Sequence, residues 1–416
     1  MIEPLFRHPG YPLFAQSFHE RHLEELDFLF DQRAVFFADP LLAWPSVERL
    51  DARIQAHAGA LAAWGESARS FLPAQLEGAD TALPAAFVLA SLGPEDAAKV
   101  AVSALDTAPP ELLPRITLAL SLARGPDLGP ALEPLATSAS AGVRAAVATI
   151  MGSRRRGPTS LLERLLHDPD LDVQIAAARA FAGMGAREMV SAVERRAAEA
   201  PPDTTGFLLP LVELSSRTVA VACRKALSAG QPPSKEAITA LAIVGDATDV
   251  PLLRASDPGP GAALALGVLG SATAVPWLLS LLGSGDEPLQ IAAGAALARI
   301  TGAGLVETAT VPEPTNEEAA RPSARRVERP STSRATWERW WHTHRARFDE
   351  RTRYRGGAPF SPRAAAQELA APLTPFSERR RAAAEIRHHT RTTTPFDPDG
   401  WIAEQRAAIR DWQSLQ

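Results

Sequence analysis

Apolar residues recur along most of this chain at helical spacing, and one stretch of that pattern occurs twice. Residues 173–185 read VQIAAARAFAGMG, and residues 289–301 read LQIAAGAALARIT, followed at once by Gly302. At an offset of 116, six of thirteen positions are identical: Gln174, Ile175, Ala176, Ala177, Ala180 and Ala182 match Gln290, Ile291, Ala292, Ala293, Ala296 and Ala298. Three more pairs stay apolar: Val173/Leu289, Phe181/Leu297 and Met184/Ile300. A self-match of this kind marks a repeat array, and the offset is close to four units of about 29 residues.

The same pattern continues between and before the two segments. Alanine- and leucine-rich helices end at or near Gly93, Gly125, Gly152, Gly185, Gly245, Gly270 and Gly302, at spacings of 32, 27, 33, 60, 25 and 32. The spacing of 60 holds two units, the second a degraded one near VAVACRKALSAG that ends at Gly230. This makes roughly eight units of the two-helix solenoid type. One unit illustrates the physics. LLERLL (161–166) is a first helix, and His167-Asp168-Pro169-Asp170 is a turn. Proline is barred from a helix interior, and Asp serves as an N-cap. A second helix then runs to about residue 184, and Gly185 suits its C-terminal cap. No single unit can bury its apolar stripe alone, so stability must come from stacking.

The ends do not repeat. Ser17-x-x-Glu20 predicts a capping box opening a helix through His22, Leu23, Leu26 and Phe30. A second helix follows Pro45-Ser46, with Val47, Leu50, Ile54, His57, Leu61 and Trp64 on one face, which makes His57 a hydrogen-bonded core residue. The Pro-, Glu-, Arg-, Ser- and Thr-rich stretch ETATVPEPTNEEAARPSARRVERPSTSR has few core-forming residues and reads as a flexible linker. Helical spacing returns at Trp337, Trp340, Trp341, His344 and Phe348, and again at Trp401, Ile402, Gln405, Ile409 and Trp412. The expected organisation is therefore an all-α α-solenoid: an N-terminal helical cap (1–75), a repeat solenoid (76–306), a linker (307–335) and a basic Trp/Arg-rich helical region (336–416).

Charge separates these parts. Residues 321–416 carry 19 Arg against 11 Asp plus Glu, which is +8; the whole chain is −5, so residues 1–320 carry −13. The basic region could lie against the acidic repeats or bind an acidic partner. Its Trp/Arg mixture also fits nucleic acid, with arginine on phosphates and aromatics stacked on bases. Helical spacing of the aromatics favours a packed amphipathic helix instead.

Candidate chemistry is mostly exclusion. There is no Gly-Lys pair and hence no phosphate-binding loop of the Walker type, and no Gly-x-Ser-x-Gly elbow. Gly259-Pro260-Gly261-Ala262-Ala263-Leu264 lacks the third glycine of a dinucleotide fingerprint and precedes no strand-helix-strand unit. Cys223 is the single cysteine, which rules out an internal disulfide and a cysteine-rich metal site. His19, Glu20 and His22 form only a weak metal candidate, because adjacent helical residues do not face alike. No catalytic residue, cofactor or metal is expected. The N-terminal MIEPLFRHPGYPLF lacks a basic region followed by an apolar core, and no 18-residue apolar run occurs, so a cytoplasmic, non-membrane protein is expected.

The Asp-Pro turn, the Val-x-x-Ala-Ala-x-x-Ala helix and the closing glycine resemble HEAT-like repeats of the phycobilisome-lyase type. HLEELDFLFDQRAV with RLDARIQAH, the repeat middle, and Trp340-Trp341 followed by RYRGGAPFSP together resemble an uncharacterised proteobacterial HEAT-repeat family. Members of that family are often encoded near type VI secretion genes. The resemblance implies a non-enzymatic scaffold or adaptor that binds another protein, a component or cargo of a contractile secretion system. It brings no catalytic residues. A lyase-type enzyme acting on a bound small molecule is a further option, and would need a concave pocket with convergent polar groups. The residues singled out for interaction are Trp340, Trp341, Arg345 and Arg353, with a nucleic-acid-binding or repair protein as the alternative. Oligomeric state is left open.

Overall fold

The computed structural model describes residues 8–39, 42–201, 203–229, 234–312 and 324–414. Among these residues the chain is all-α apart from two short antiparallel hairpins. Two compact units result. One comprises Met1–Arg196, Ala370–Arg380 and Thr393–Asp411; the other comprises Ala197–Leu369, Arg381–Thr392 and Trp412–Gln416. Residues 336–416 fall partly in one unit and partly in the other.

In the first unit the helices Ala82–Leu92, Leu113–Leu122, Ala141–Arg154 and Leu171–Met184 pack each on the next. The helix–turn–helix expected at 161–185 forms. Helix Thr159–Leu166 is followed by Asp170, whose carboxylate accepts from the N–H groups of Asp172 and Val173, and Gly185 closes Leu171–Met184 at φ +70°. In the second unit Leu208–Glu213, Lys235–Val244, Pro260–Leu269 and Glu287–Thr301 pack in the same serial way. The degraded repeat forms a helix, Val219–Ser228, and its closing Gly230 lies outside the described residues.

The duplicated motif has two physical jobs. Its glutamine staples the turn: the Gln174 side-chain amide donates to the Asp168 carbonyl at 2.5 Å, and that of Gln290 to the Leu282 carbonyl at 3.0 Å. Its alanines permit close helix contact. A Cβ at Gly152 would lie 2.6 Å from the Cα of Ala180, and one at Gly267 would lie 2.7 Å from the Cα of the equivalent Ala296. Gly152 is therefore a close-contact position near the end of its helix rather than the cap itself. The helix runs on to Arg154, and Arg155 takes the left-handed position instead.

Two other expectations change at the N-terminus. The first helix begins at Tyr11, with Pro12 in its first turn, so Ser17 is interior. Proline pre-sets the helical φ there and lacks the N–H that would go unpaired. Glu20 accepts from the Gln16 side chain at 2.9 Å rather than closing a box. The face Val47, Leu50, Ile54 and Leu61 is buried as expected, but His57 is only half-buried, its Nδ1 2.9 Å from the Nδ1 of His22. His19 turns away from that pair, 2% exposed, with its ring 5.2 Å from those of Trp64 and Phe71.

Part of the expected linker is a β-hairpin. Strands β1 (Val306–Pro312) and β2 (Ala324–Pro330) pair antiparallel, while residues 313–323 lie outside the described residues. Low hydrophobicity concealed it, because a two-stranded ribbon needs β-branched residues and cross-strand pairs more than a core. Glu307 faces Arg329, and its carboxylate also accepts from the Thr332 N–H and hydroxyl. Helix Glu287–Thr301 approaches so closely that a Cβ at Gly294 would lie 2.8 Å from the Ser331 carbonyl oxygen.

In the first unit, residues of the C-terminal region meet the N-terminal helices. Asp51 pairs with Arg33 at 2.8 Å and accepts from the Ile402 N–H at 2.8 Å, and Arg33 donates to the Gly400 carbonyl at 2.7 Å. Trp401 donates its indole N–H to the Leu122 carbonyl at 2.9 Å. The Arg379 guanidinium lies 3.8 Å over the Trp44 ring and donates to Gln405.

Gly267→Ala and Gly152→Ala are each expected to lower stability in urea unfolding by about 1–3 kcal/mol, since the added methyl meets backbone. Gly59→Ala, in a helix with open space around it, should raise stability by about 0.5–1 kcal/mol. Burial holds the His19 imidazole below its ordinary 6.5. The unfolded chain therefore binds the proton more readily, and this contribution is present above about pH 6.5 and is lost as pH falls through the folded value. A His19→Phe variant should show a flatter loss of stability below pH 6.5 in pH-dependent thermal melts.

Candidate interaction surface and buried charge cluster

The sequence-selected residues fall into two settings within the second unit. Helix Arg334–His344 opens at Ser333, whose hydroxyl accepts from the Thr336 N–H. It anchors by Trp337, 1% exposed, which donates its indole N–H to the Ser331 carbonyl at 2.7 Å. Its next turn is less covered. Trp340 and Trp341 are half-buried. Trp340 stacks on His344 with ring centroids 4.4 Å apart, and Trp341 meets Phe348 at 5.2 Å. Phe348 in turn packs on Tyr354 at 4.8 Å, and the Tyr354 hydroxyl accepts from the Asp349 N–H. Around these rings Arg339, Arg345, Arg347 and Arg351 are exposed. Residues 334–351 hold five arginines against three acids, Glu338, Asp349 and Glu350.

Arg353 is placed differently from Arg345. It belongs to the segment RYRGG, where strands β3 (Tyr354–Arg355) and β4 (Ala358–Pro359) leave Gly356 and Gly357 as a two-residue turn. Both glycines have positive φ, +61° and +80°, as the favoured tight hairpin turn requires. This short segment lies across the C-terminal ends of Lys235–Val244, Pro260–Leu269 and Glu287–Thr301. Arg353 donates to the Ile243 carbonyl at 2.6 Å and to that of Val268 at 3.0 Å. The Tyr354 N–H reaches the Gly270 carbonyl at 2.8 Å. The N–H groups of Gly356 and Gly357 reach the carbonyls of Arg299 and Ile300 at 2.6 and 3.0 Å. A side chain at Gly302 or Gly357 would collide with the facing backbone. The ends of helices leave carbonyls unpaired and carry partial negative charge, so guanidinium groups and N–H donors both satisfy and stabilise them.

Two glutamates from other helices complete the arrangement. Glu385, whose side chain is fully buried, pairs with Arg353, with Arg355 at 2.9 Å and with Arg381 at 2.6 Å. Glu368 pairs with Arg355, with Arg381 at 2.6 Å and with Arg299 at 2.8 Å. Burial by itself would raise both carboxyls, but the surrounding guanidiniums hold them below the usual carboxylate range. Nearby, Arg387 pairs with Glu213, and His388 Nδ1 lies 3.2 Å from the Val212 carbonyl, with burial lowering its imidazole.

Arg353 therefore serves the packing of this unit rather than presenting itself to a partner, while Arg345 remains exposed. Sequence reasoning passed over Arg299, Arg355, Glu368, Arg381 and Glu385. The spacing of Arg381 and Glu385, i and i+4, was the one local signal available. Among the described residues no helix is long and apolar enough to cross a membrane, and no group of three or more His, Cys, Asp or Glu could hold a metal ion.

No protein-family model matches the chain, and no curated protein matches it. Thirteen solved chains do match, among them an engineered protein known from a crystal structure. That protein is 20% identical, and the match covers 95% of this chain and 100% of that one, at a TM-score of 0.26. Overlap of that quality carries nothing about fold or activity.

Glu385→Gln leaves three guanidiniums around a neutral amide in a buried site. It should cost about 3–5 kcal/mol in chemical unfolding, the range for breaking a buried ion pair from one side. The exposed pair Arg334–Glu338 is the contrast, and Glu338→Gln should cost under about 1 kcal/mol.

Proposed function

We propose that this protein is a non-enzymatic helical-repeat module that binds another protein through the exposed basic and aromatic surface of residues 339–351. One observation carries the reading: the arginines of the C-terminal region separate into two sets. Arg353, Arg355, Arg379, Arg381 and Arg387 are occupied inside their own units, on carboxylates, carbonyls or rings. Arg339, Arg345, Arg347 and Arg351 stay exposed beside the half-buried Trp341 and Phe348. Tryptophan and arginine presented together are the residue types that dominate binding energy at protein interfaces. The surplus of arginine points to a partner with an acidic face.

The same division weakens the nucleic-acid alternative, because five of the nineteen arginines of the C-terminal region are occupied internally. A cytoplasmic location and a partner drawn from a contractile secretion machine go with this reading, on the strength of the sequence resemblance.

The test is co-purification of the tagged full-length chain from its native host. A stoichiometric protein partner is expected. The double substitution Arg345→Glu, Arg347→Glu should weaken capture at least about tenfold, with an unchanged melting temperature, because both positions are exposed. Recovery of no partner, or undiminished capture by the double variant, would sink the proposal. A gel shift at low salt, where phosphate contacts are strongest, should show no nucleic-acid binding.

A further inference from the structure

The second unit holds a cleft of about 250 Å³ bordered by Ser215, Arg217, Val219, Ala220, His388 and Arg391. None of these residues belongs to the 339–351 surface. Among the described residues no carboxylate borders the cleft. The acids close to its walls in sequence are engaged elsewhere. Glu213 pairs with Arg387, and Glu385 is held by Arg353, Arg355 and Arg381.

Both arginines of the cleft are exposed. Neither guanidinium makes a hydrogen bond, an ion pair or a ring contact among the described residues. They differ in this from Arg353, Arg355, Arg381 and Arg387, whose charges are met inside the unit. Two like charges beside one small cleft, with no countercharge, favour an anion there. Val219 and Ala220 are the first two residues of helix Val219–Ser228, so the positive end of that helix adds to the same field.

The backbone points the same way. Among the described residues three non-glycine residues have positive φ, and two of them border this cleft: Ser215 at +59° and Arg391 at +57°. They follow the helices Leu208–Glu213 and Phe376–Thr390, at positions where glycine is the relaxed choice. Ser215 uses its side chain to join the two helix ends. Its hydroxyl donates to the Arg387 carbonyl at 3.2 Å, and His388 Nδ1 donates to the Val212 carbonyl at 3.2 Å. The Arg391 side chain has no such duty. Its backbone N–H already reaches the Arg387 carbonyl at 2.9 Å, and the Thr390 hydroxyl takes the Ile386 carbonyl at 2.7 Å. A long cationic side chain therefore stands, unpaired, where glycine would be less strained.

We infer that this cleft binds a phosphate group, held between the guanidiniums of Arg217 and Arg391. Two unpaired single charges match a dianion, and the N–H forks of guanidinium suit the oxygens of phosphate. A carboxylate would bring one charge only. The volume lies below the range for drug-sized ligands, so the cleft takes the phosphate and little beyond it.

The experiment is calorimetric titration of the full-length chain at low ionic strength and about pH 7.5, where phosphate is mainly a dianion. Inorganic phosphate, O-phosphoserine and acetate form separate arms. Saturable binding in a phosphate arm at one site per chain is expected, with acetate at least about tenfold weaker. The tighter phosphate arm tells free phosphate from an ester. Arg217→Gln should weaken binding about tenfold at an unchanged melting temperature. Arg391→Gly should weaken it as much, while the ligand-free melting temperature holds or rises, because glycine relaxes the left-handed position. No saturable binding in either phosphate arm, acetate bound as tightly as phosphate, or undiminished binding by either variant would overturn the assignment. So would a fall in melting temperature with Arg391→Gly, which would make that side chain a structural one. Partner capture by the Arg345→Glu, Arg347→Glu variant rests on other residues, so the two readings stand or fall separately.

Discussion

The second unit depends on one arrangement: guanidinium groups and glycine N–H donors laid across the C-terminal ends of three helices packed in series, with two buried glutamates behind them. Stacked helices that all end on one side accumulate unpaired carbonyls and partial negative charge there. RYRGG answers both needs with its backbone and its side chains at once. Carbonyls offer these arginines only partial charge, and in a poorly screened site Glu368 and Glu385, shared among them, add full negative charges. Their position ties helices distant in sequence to one another.

The first unit solves the related problem with different residues. Arg154 donates to the carbonyls of Ala123 and Pro126, close behind the helix Leu113–Leu122, and the Trp401 indole takes the Leu122 carbonyl. Asp51 both pairs with Arg33 and receives the first N–H of the last helix. In each unit, then, segments remote in sequence cover the ends of the repeat helices. The repeats themselves are held by small residues, Gly152 on Ala180 and Gly267 on Ala296, which let backbones approach where larger side chains would keep them apart.

Much of this is legible in the sequence. The helix–turn–helix of 159–185, its Asp170 cap, its Gly185 terminus and its buried stripe follow from period, proline and capping chemistry, all of which act within a few residues. The start of the first helix was misjudged at Ser17 because a capping pattern inside a helix looks the same as one at its end. The hairpin at 306–330 was missed because its stability comes from pairing with another strand and from docking on Glu287–Thr301, neither of which is local. Of the four interaction candidates, Arg345 is exposed, Trp340 and Trp341 are half-buried, and Arg353 is turned inward. Composition alone could not separate Arg345 from Arg353, since both sit in the same Arg-rich stretch.

By itself the sequence determined that this is an all-α chain, because spacing and caps are short-range properties that recur along it. It also set the excess of arginine at the C-terminal end. Tertiary structure decided which of those arginines are structural and which face solvent, and how the last eighty residues are shared between two units. These outcomes depend on contacts between residues tens to hundreds of positions apart, and the energy of a charge depends on its surroundings far more than on its neighbours in sequence.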